Sequence, residues 1–153
     1  MAQRESNYFT YPTPHGPMTI RATPHGICEI AFSNAQLQGV HRASEQTNAA
    51  ATQLQEYLAG RRRSFDLPID MQGSAFQKLV WTTVCDIPYG ETRTAADIAQ
   101  AIGKPGAHRS VGTAIRRNPL PIVVPTHRVE LPGMKGANAK VFSALRALES
   151  DRV

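Results

Sequence analysis

The segment Thr94-Ala-Ala-Asp-Ile-Ala-Gln-Ala-Ile-Gly-Lys-Pro-Gly-Ala-His-Arg-Ser-Val-Gly-Thr-Ala-Ile-Arg-Arg117 has the pattern of two helices joined by a tight turn. Thr94 is a suitable N-cap for a first helix that ends near Ile102. The glycines and the proline of Gly103–Gly106 indicate a turn, and a second helix is predicted over Ala107–Arg117. Two helices with a short glycine-containing connection are typical of a helix-turn-helix.

The second of these helices combines arginines with small residues, namely Arg109, Ser110, Gly112, Ala114, Arg116 and Arg117. A helix that reads the major groove of DNA projects long polar side chains towards base edges. Small residues with a few arginines fit a narrow groove better, because the backbone can approach the duplex closely. An alternative of equal weight is that Gly112 and Ala114 only permit tight packing between helices.

The rest of the chain divides into a β-rich first half and a helical second half. Tyr8–Phe32 is predicted to form three short antiparallel strands, and Thr47–Ala59 is predicted to form a helix. A further helix is expected over Ala75–Cys85, capped by Ser74. Its predicted buried stripe consists of Phe76, Leu79, Val80 and Val84, with Cys85 in the same packing. We place the boundary between the two lobes near Met71–Ser74.

The net charge of +5 lies entirely in the second half of the sequence. Residues 1–75 carry six arginines and six acidic residues, whereas residues 76–153 carry eleven basic and six acidic residues. A basic half beside a neutral half favours a polyanionic partner such as nucleic acid. A merely solvated basic face explains the charge equally well, and it is the preferred interpretation for Arg61-Arg-Arg63.

Composition also limits the compartment and the cofactors. The sequence contains no apolar run of transmembrane length and no signal-peptide pattern at its start, so we expect a cytoplasmic protein with no membrane contact. Reduced cysteines are therefore expected at Cys28 and Cys85. His25 and Cys28 have a ligand-like spacing, but two candidate ligands without a partner pair favour a structural interpretation. We expect no metal.

The most specific motif is Pro125-Thr-His-Arg-Val129, which follows a predicted short apolar strand, Ile122-Val-Val124. The sequence resembles the O6-alkylguanine-DNA alkyltransferases, which carry Pro-Cys-His-Arg-Val at this point. The resemblance extends from about Tyr8 to Glu149. Further stretches characteristic of that family occur in the same order: Gly73-Ser-Ala-Phe-Gln77, Val80-Trp81, Ile87-Pro-Tyr-Gly-Glu-Thr92, Ile102-Gly-Lys-Pro105, Arg109-Ser-Val-Gly112 and Asn118-Pro119.

The resemblance implies a fold and a mode of DNA binding. The fold class would be α+β, with an N-terminal α/β roll lobe over residues 1–72 and a mostly helical lobe with a helix-turn-helix over residues 73–153. Members of the family bind double-stranded DNA as monomers, enter the minor groove and flip an alkylated guanine out of the stack, with Arg109 taking its place. Further DNA contacts are implied at Thr94, Ser110, Gly112, Thr113, Arg116 and Arg128.

The resemblance also implies the chemistry of the site. In the family a cysteine thiolate accepts the alkyl group once, irreversibly and without a cofactor. It is made reactive by the next residue, here His127, and by a glutamate that corresponds to Glu149. Asn118 is implied as the hinge that connects the DNA-binding helix to this site. We therefore expect His127 and Glu149 to belong to one site together with the residue at position 126.

The sequence departs from the family at the reacting position. Thr126 stands where the family has cysteine, and an alcohol is far less acidic and less polarisable than a thiol. Displacement at a methyl carbon forms no oxyanion intermediate that a site could stabilise, so Thr126 is expected to be inactive as an acceptor. Two groups that hold the flipped base are also missing. Ala95 replaces a tyrosine, and the loop Leu131–Asn138 has no aromatic residue. Glu130 adds a negative charge beside the motif.

These observations favour a DNA-binding protein that senses alkylated guanine without accepting the alkyl group. Relatives without the cysteine present such lesions to nucleotide excision repair proteins, which are therefore candidate partners. One alternative is an active methyltransferase, or a cysteine-to-threonine variant of one that traps its complex. A second alternative is a helix-turn-helix regulator without preference for damaged DNA.

Overall fold

A computed structural model describes residues 6–131 and 137–152. Within it the chain forms two compact units, one up to Gln72 and one from Gly73 onwards. The first unit combines a small sheet with a helix, and the second is mostly helical. The expected α+β fold class is confirmed. The loop expected to lack an aromatic residue falls mostly outside the described residues.

The strands of the first unit are β1 (Asn7–Tyr11), β2 (Met18–Thr23), β3 (Gly26–Ala31) and β4 (Val40–His41). They form a sheet in the order β3-β2-β1-β4, in which β1 is antiparallel to β2, β2 is antiparallel to β3, and β1 is parallel to β4. The three strands predicted within Tyr8–Phe32 are therefore confirmed, and β4 was not foreseen. Its two residues are too few to show a periodic pattern.

Helix α1 (Glu45–Leu58) packs on this sheet. It begins at Ser44, whose side chain accepts from the Thr47 amide while the Thr47 hydroxyl accepts from the Ser44 amide. This reciprocal cap satisfies amide groups that a helix start leaves without partners. The helix buries Ala50, Leu54 and Tyr57, so a face with the spacing of one helical turn closes the core of the unit.

The second unit starts with α2 (Ala75–Val84), β5 (Arg93–Thr94), α3 (Ala95–Ala101) and α4 (His108–Arg116). It continues with β6 (Val129–Glu130), which pairs in parallel with β5, and ends with α5 (Ala137–Arg152). Ser74 and Thr94 cap α2 and α3, as predicted, each in a reciprocal pair with the residue three positions later. A 3-10 turn over Pro105–Ala107 joins α3 to α4.

The buried face of α2 differs from the predicted stripe. Val80, Trp81 and Val84 are buried, and the Trp81 indole nitrogen donates to the Ala114 carbonyl oxygen of α4 at 2.8 Å. Leu79 is 44% exposed. The prediction for Leu79 was wrong because the large Trp81 side chain turns the neighbouring face of the helix towards the core. Cys85 was also expected in the packing, and it is exposed.

The strand predicted over Ile122–Val124 was also wrong. Pro121 and Val124 form an isolated bridge around a turn, and Ile122 has a φ of 76°. The apolar β-branched run suggested an extended strand, but a proline at each end removes the amide groups that a ladder would need. The turn instead directs the chain into the motif that follows.

Candidate functional site

The turn before Thr126 is clamped by Asn118. The Asn118 amide nitrogen donates to the Val124 carbonyl oxygen at 3.0 Å, and its amide oxygen accepts from the Leu120 amide at 2.9 Å. Ile122 sits inside this clamp with a positive φ, which costs a β-branched residue of the order of 1–3 kcal/mol. The surrounding contacts must hold this strain, so Asn118 lies where a positioning residue is needed.

Thr126 opens a 3-10 turn that ends at Arg128. It is 1% exposed, and its hydroxyl oxygen lies 3.1 Å from the Asn118 amide nitrogen, which donates to it. The side chain predicted to replace the nucleophile is therefore buried and accepts a hydrogen bond. A thiolate in this place would be stabilised by the same donor.

His127 and Glu149 form a buried pair, although they are 22 residues apart. The Nε2 atom of His127 lies 2.7 Å from Oε2 of Glu149, and their side chains are 0% and 2% exposed. The two residues predicted to share a site with Thr126 are thus brought together. The edge of the Phe142 ring packs against the imidazole, with 6.3 Å between the ring centroids.

Arg128 completes the pair from the other side of the carboxylate. Its Nε donates to Oε1 of Glu149 at 2.8 Å, one terminal nitrogen donates to Oε2 at 2.9 Å, and the other donates to the Ile87 carbonyl oxygen at 2.8 Å. The Gly90 amide donates to Oε1 at 3.1 Å. A carboxylate held by a forked guanidinium is ionised and can only accept hydrogen bonds.

This arrangement sets the tautomer of His127. Because Glu149 only accepts, Nε2 of the neutral imidazole carries the proton and Nδ1 carries the lone pair. Burial lowers the pKa of His127, against the opposing effects of the hydrogen bond to Glu149 and its charge, and Arg128 and Arg146 lower the pKa further. The charge of Glu149 is already balanced by Arg128, so protonation of His127 would leave a net positive charge inside the protein. The residue that follows Thr126 in the turn thus carries a neutral, buried imidazole.

The candidate DNA contacts on α4 fall into two groups. Arg109, Ser110, Thr113 and Arg116 are exposed, so this helix presents a polar, basic face. Gly112 is buried, and a Cβ added there would meet a terminal nitrogen of Arg116 at 3.5 Å and a methyl carbon of Leu131 at 3.9 Å. Gly112 thus lies under the side chains of its neighbours, and its role as a direct DNA contact stays a prediction.

The expectation for Arg128 is revised. Its side chain is 9% exposed and engaged with Glu149, and its guanidinium lies 5.5 Å from the centroid of the Tyr89 ring. A guanidinium already bound on these sides offers little to a phosphate. The sequence analysis missed the ion pair of Arg128 with Glu149. The position of Arg128 directly after His127, which was already expected to share a site with Glu149, could have indicated it.

A cavity of about 600 Å³ opens beside the motif, lined by Thr94, Ala95, Ala96, Glu130, Leu131 and Arg146. Thr94 is exposed, and its hydroxyl caps α3 by accepting from the Asp97 amide at 3.1 Å. Sequence reasoning also missed Arg146, which one turn of α5 separates from Glu149. A second cavity of about 690 Å³, between α2 and α3, contains none of the predicted site residues among its lining.

Residues 6–131 and 137–152 offer neither a cluster of metal ligands nor a membrane-spanning helix. That part of the chain holds no cluster of three or more histidine, cysteine or acidic residues that could bind a metal ion. None of its helices combines the length and the hydropathy that crossing a membrane requires.

Two family models match this chain. Residues 7–71 match the ribonuclease-like domain of 6-O-methylguanine DNA methyltransferase, and residues 75–148 match its DNA binding domain. The constitutive methylated-DNA–protein-cysteine methyltransferase of Bacillus subtilis is 39% identical over 93% of this chain and 94% of its own length. The methylated-DNA–protein-cysteine methyltransferase of Methanosarcina barkeri is 42% identical over 76% of this chain and 77% of its own.

Solved structures agree with the sequence relatives. The crystal structure of Mycobacterium tuberculosis O6-methylguanine methyltransferase superposes with a TM-score of 0.85, is 34% identical, and covers 97% of this chain and 94% of that one. A structure of Mycobacterium tuberculosis OGT in complex with DNA gives a TM-score of 0.86 at 34% identity, covering 96% and 94% of the two chains. The resemblance seen in the motifs is confirmed: this chain belongs to the 6-O-methylguanine DNA methyltransferase family.

Proposed function

We propose that this protein binds duplex DNA that contains alkylated guanine and does not accept the alkyl group. The observation that carries the proposal is the buried hydroxyl of Thr126 in the turn that also holds the His127–Glu149 pair. The imidazole and carboxylate that would activate a nucleophile are present, whereas the group they would activate is an alcohol.

The chemistry argues against transfer to Thr126. A neutral imidazole can draw a proton from a thiol whose pKa is near ~8.5, but the hydroxyl of threonine holds its proton far more tightly. Enzymes that use a threonine nucleophile attack acyl carbon, where an oxyanion hole lowers the barrier. Attack on a methyl carbon offers no oxyanion, so the His127–Glu149 pair has no productive step to assist.

The DNA-binding part of the proposal rests on α3 and α4. We infer that these helices act as a helix-turn-helix, with the exposed face of α4 against the minor groove and Arg109 in the stack in place of the flipped guanine. Arg116 would contact phosphate, and Ser110, Thr113 and Thr94 would lie beside the backbone. The relationship to a protein crystallised in complex with DNA supports this placement.

The test combines intact-mass spectrometry with a binding titration. The protein is incubated with a duplex that contains O6-methylguanine, with the Bacillus subtilis relative as the positive control. We expect no gain of one methyl mass, and we expect tighter binding to the lesion duplex than to the same duplex with guanine. A gain of one methyl mass would instead establish transfer, the second candidate, which the retained His127–Glu149 pair favours.

The titration also decides the remaining alternative. Equal affinity for lesion and control duplexes would refute lesion sensing and support a DNA-binding regulator. If lesion binding without transfer holds, the bound lesion needs a second activity for its removal, and nucleotide excision repair proteins are the candidate partners. Their recruitment can be measured as formation of a ternary complex on the lesion duplex. A monomeric state and a cytoplasmic location remain predictions.

A further inference from the structure

A groove runs between α2 and α3 in the second unit. Its deepest part is the cavity of about 690 Å³, a volume typical of ligand sites, and the residues that line it belong to α2, α3 and the segment that joins them. Ile87, Ile98 and Ala101 supply apolar surface there, and both isoleucines are otherwise buried in the core. The cavity therefore has an apolar floor that is continuous with the core of the unit.

An apolar face of α2 extends the groove away from the cavity. Phe76, Leu79 and Thr83 follow one another at spacings of three and four residues, which places them on one face of the helix. Leu79 is 44% exposed, and among the described residues of the second unit it is the one exposed large hydrophobic side chain. The Thr83 hydroxyl donates to the Leu79 carbonyl oxygen at 2.8 Å, so it is already bonded within the helix. The face therefore presents apolar surface to solvent.

One end of the groove is negative, although the unit as a whole is basic. Three acidic residues, Asp86, Glu91 and Asp97, fall between the end of α2 and the first turn of α3, where Arg93 is the one basic residue. A terminal nitrogen of Arg93 pairs with the Glu91 carboxylate at 3.1 Å. Asp86 and Asp97 line the cavity, and their charges remain in excess. This end of the groove would therefore repel phosphate and attract a cation.

The other end of the groove is positive. Lys104 follows α3, and its ammonium nitrogen lies 5.8 Å from the centroid of the Phe76 ring. Phe76 belongs to the first turn of α2, whereas Asp86 lies just beyond the last turn of that helix. The groove thus has a positive end, an apolar middle and a negative end, and this order of charge defines the partner that would fit it.

We propose that this groove binds an amphipathic helical segment of a partner protein, with lysine or arginine at the end that meets Asp86 and Asp97. A helix bound in an apolar groove is held by side chains one turn apart, and the spacing of the apolar face of α2 matches that pattern. α2 has ten residues, so the segment would span about 15 Å, or about three turns. None of the described lining residues is a proposed DNA contact, so the inference goes beyond the proposed function and does not depend on it.

The test starts from a display library of random peptides of about twelve residues, slightly longer than α2, selected against the folded protein. We expect the enriched peptides to carry a net positive charge and apolar residues at spacings of three and four. Unspecific attraction to a protein with a net charge of +5 would enrich acidic peptides instead, so the sign of the peptide charge separates the two cases. The most enriched peptide is then labelled and titrated by fluorescence anisotropy.

Substitutions in the groove assign the binding to this surface. Leu79→Gln should weaken binding of the peptide about tenfold, as loss of an apolar anchor does. Asp86→Asn should weaken it about threefold and reduce its salt dependence, because an exposed charge pair contributes little. Val40→Gln and Asp151→Asn are the matched controls, since they change an exposed apolar and an exposed acidic residue elsewhere, and they should leave the affinity unchanged. Thermal unfolding of each variant shows that it is folded.

Three outcomes of the selection and titration would overturn the inference. The library could yield no enriched peptide, or it could yield acidic peptides that an unmodified duplex displaces, which would assign them to the basic face of α4. The third outcome is a peptide whose affinity survives both Leu79→Gln and Asp86→Asn.

Sedimentation velocity of the protein without peptide or DNA excludes a different occupant of the groove. We expect the sedimentation coefficient of the wild-type protein to stay constant as its concentration rises. Self-association that Leu79→Gln abolishes and Val40→Gln leaves intact would instead show that a second copy of this chain covers the groove, and the inference of a partner protein would fail.

Discussion

At the scale of single residues, the candidate site is built around one buried hydrogen-bond acceptor, the hydroxyl of Thr126. Thr126 receives a hydrogen bond from Asn118 and precedes a neutral imidazole whose other nitrogen is bound to Glu149. Each of these partners would serve a thiolate. The Thr126 hydroxyl accepts the hydrogen bond from Asn118 and is buried. It is still too weak a nucleophile for displacement at an alkyl carbon.

Thr126→Cys should therefore restore part of the transfer activity. We expect the pKa of the new thiol to fall below its usual ~8.5, because Asn118 donates to it and His127 can take its proton. Recovery should be incomplete, since the side chain of Ala95 is a single methyl group and is expected to position the base poorly, and orientation supplies much of the rate. The measurements are methyl incorporation from labelled DNA and thiol pKa from pH-dependent alkylation.

Thr126→Ser is the matched control, because it removes the same methyl group but keeps a hydroxyl. It should show no incorporation. Activity of Thr126→Cys equal to that of active relatives would mean that Ala95 carries no weight in positioning the base. An ordinary thiol pKa without incorporation would mean that the His127–Glu149 pair does not act on position 126.

At the scale of secondary-structure elements, α4 is the helix on which we expect DNA binding to depend. Arg109→Ala should weaken binding to a lesion duplex by roughly 1–3 kcal/mol, since the side chain is proposed to fill the gap left by the flipped base. Arg116→Ala should mainly reduce the slope of affinity against salt concentration, as loss of a phosphate contact does. Both are measured by titration at several salt concentrations, and Arg63→Ala in the first unit is the control. Unchanged affinity in Arg109→Ala would contradict the minor-groove placement.

A second element-scale prediction concerns the turn between β2 and β3. Gly26 has a φ of 145°, and a Cβ added there would lie 2.5 Å from the Pro68 carbonyl oxygen. That carbonyl accepts from the Ile27 amide at 2.9 Å and so holds the segment around Pro68 against β3. Gly26→Ala should therefore destabilise the first unit by more than the roughly 1–3 kcal/mol of backbone strain alone.

Gly16→Ala is the matched control, since Gly16 has a φ of 101° and open space around its Cβ position. It should show the strain without the clash. Thermal unfolding followed by far-ultraviolet circular dichroism measures both variants. Equal losses of thermal stability in Gly26→Ala and Gly16→Ala would show that the segment around Pro68 moves freely away from β3.

At the scale of the whole molecule, the buried His127–Arg128–Glu149 cluster makes stability depend on pH. Burial holds the pKa of folded His127 below its ordinary value of 6.5. The unfolded chain takes up a proton near pH 6.5, and the folded chain does so only at lower pH. The contribution of neutral His127 to the free energy of unfolding is thus fully present above pH 6.5. It is lost as the pH falls from 6.5 towards the pKa of folded His127, by up to about 1.4 kcal/mol per pH unit.

Urea unfolding at several pH values between 5 and 8 measures this dependence. Trp81 is the one tryptophan of the sequence and lies in the core of the second unit, so its fluorescence reports on the unit that contains His127. We expect His127→Gln to flatten the decline in the free energy of unfolding below pH 6.5. His15→Gln, at an exposed position, should keep the wild-type slope. An equal decline in wild type and His127→Gln would contradict the assignment to His127.

Local signals in the sequence were sufficient to predict α1 to α4 and the caps of α2 and α3, whereas α5 (Ala137–Arg152) was not predicted. Ser74 and Thr94 cap α2 and α3 through groups three residues away, so a short stretch contains all the information for each start. The threonine at position 126 is likewise visible in the sequence alone. From it follows the expectation of binding without transfer, because acidity and polarisability belong to the side chain itself.

Tertiary packing decided what these local signals could not. Arg128 was expected to contact DNA, but a carboxylate 21 residues later draws it into the interior. Leu79 was expected in the core, but Trp81 takes that place against α4. Likewise, Arg146 lines the cavity beside Ala95 only because α5 packs against the Thr126–Arg128 turn. The energies of such buried groups depend on partners distant in sequence, and periodicity and capping rules act over only a few residues.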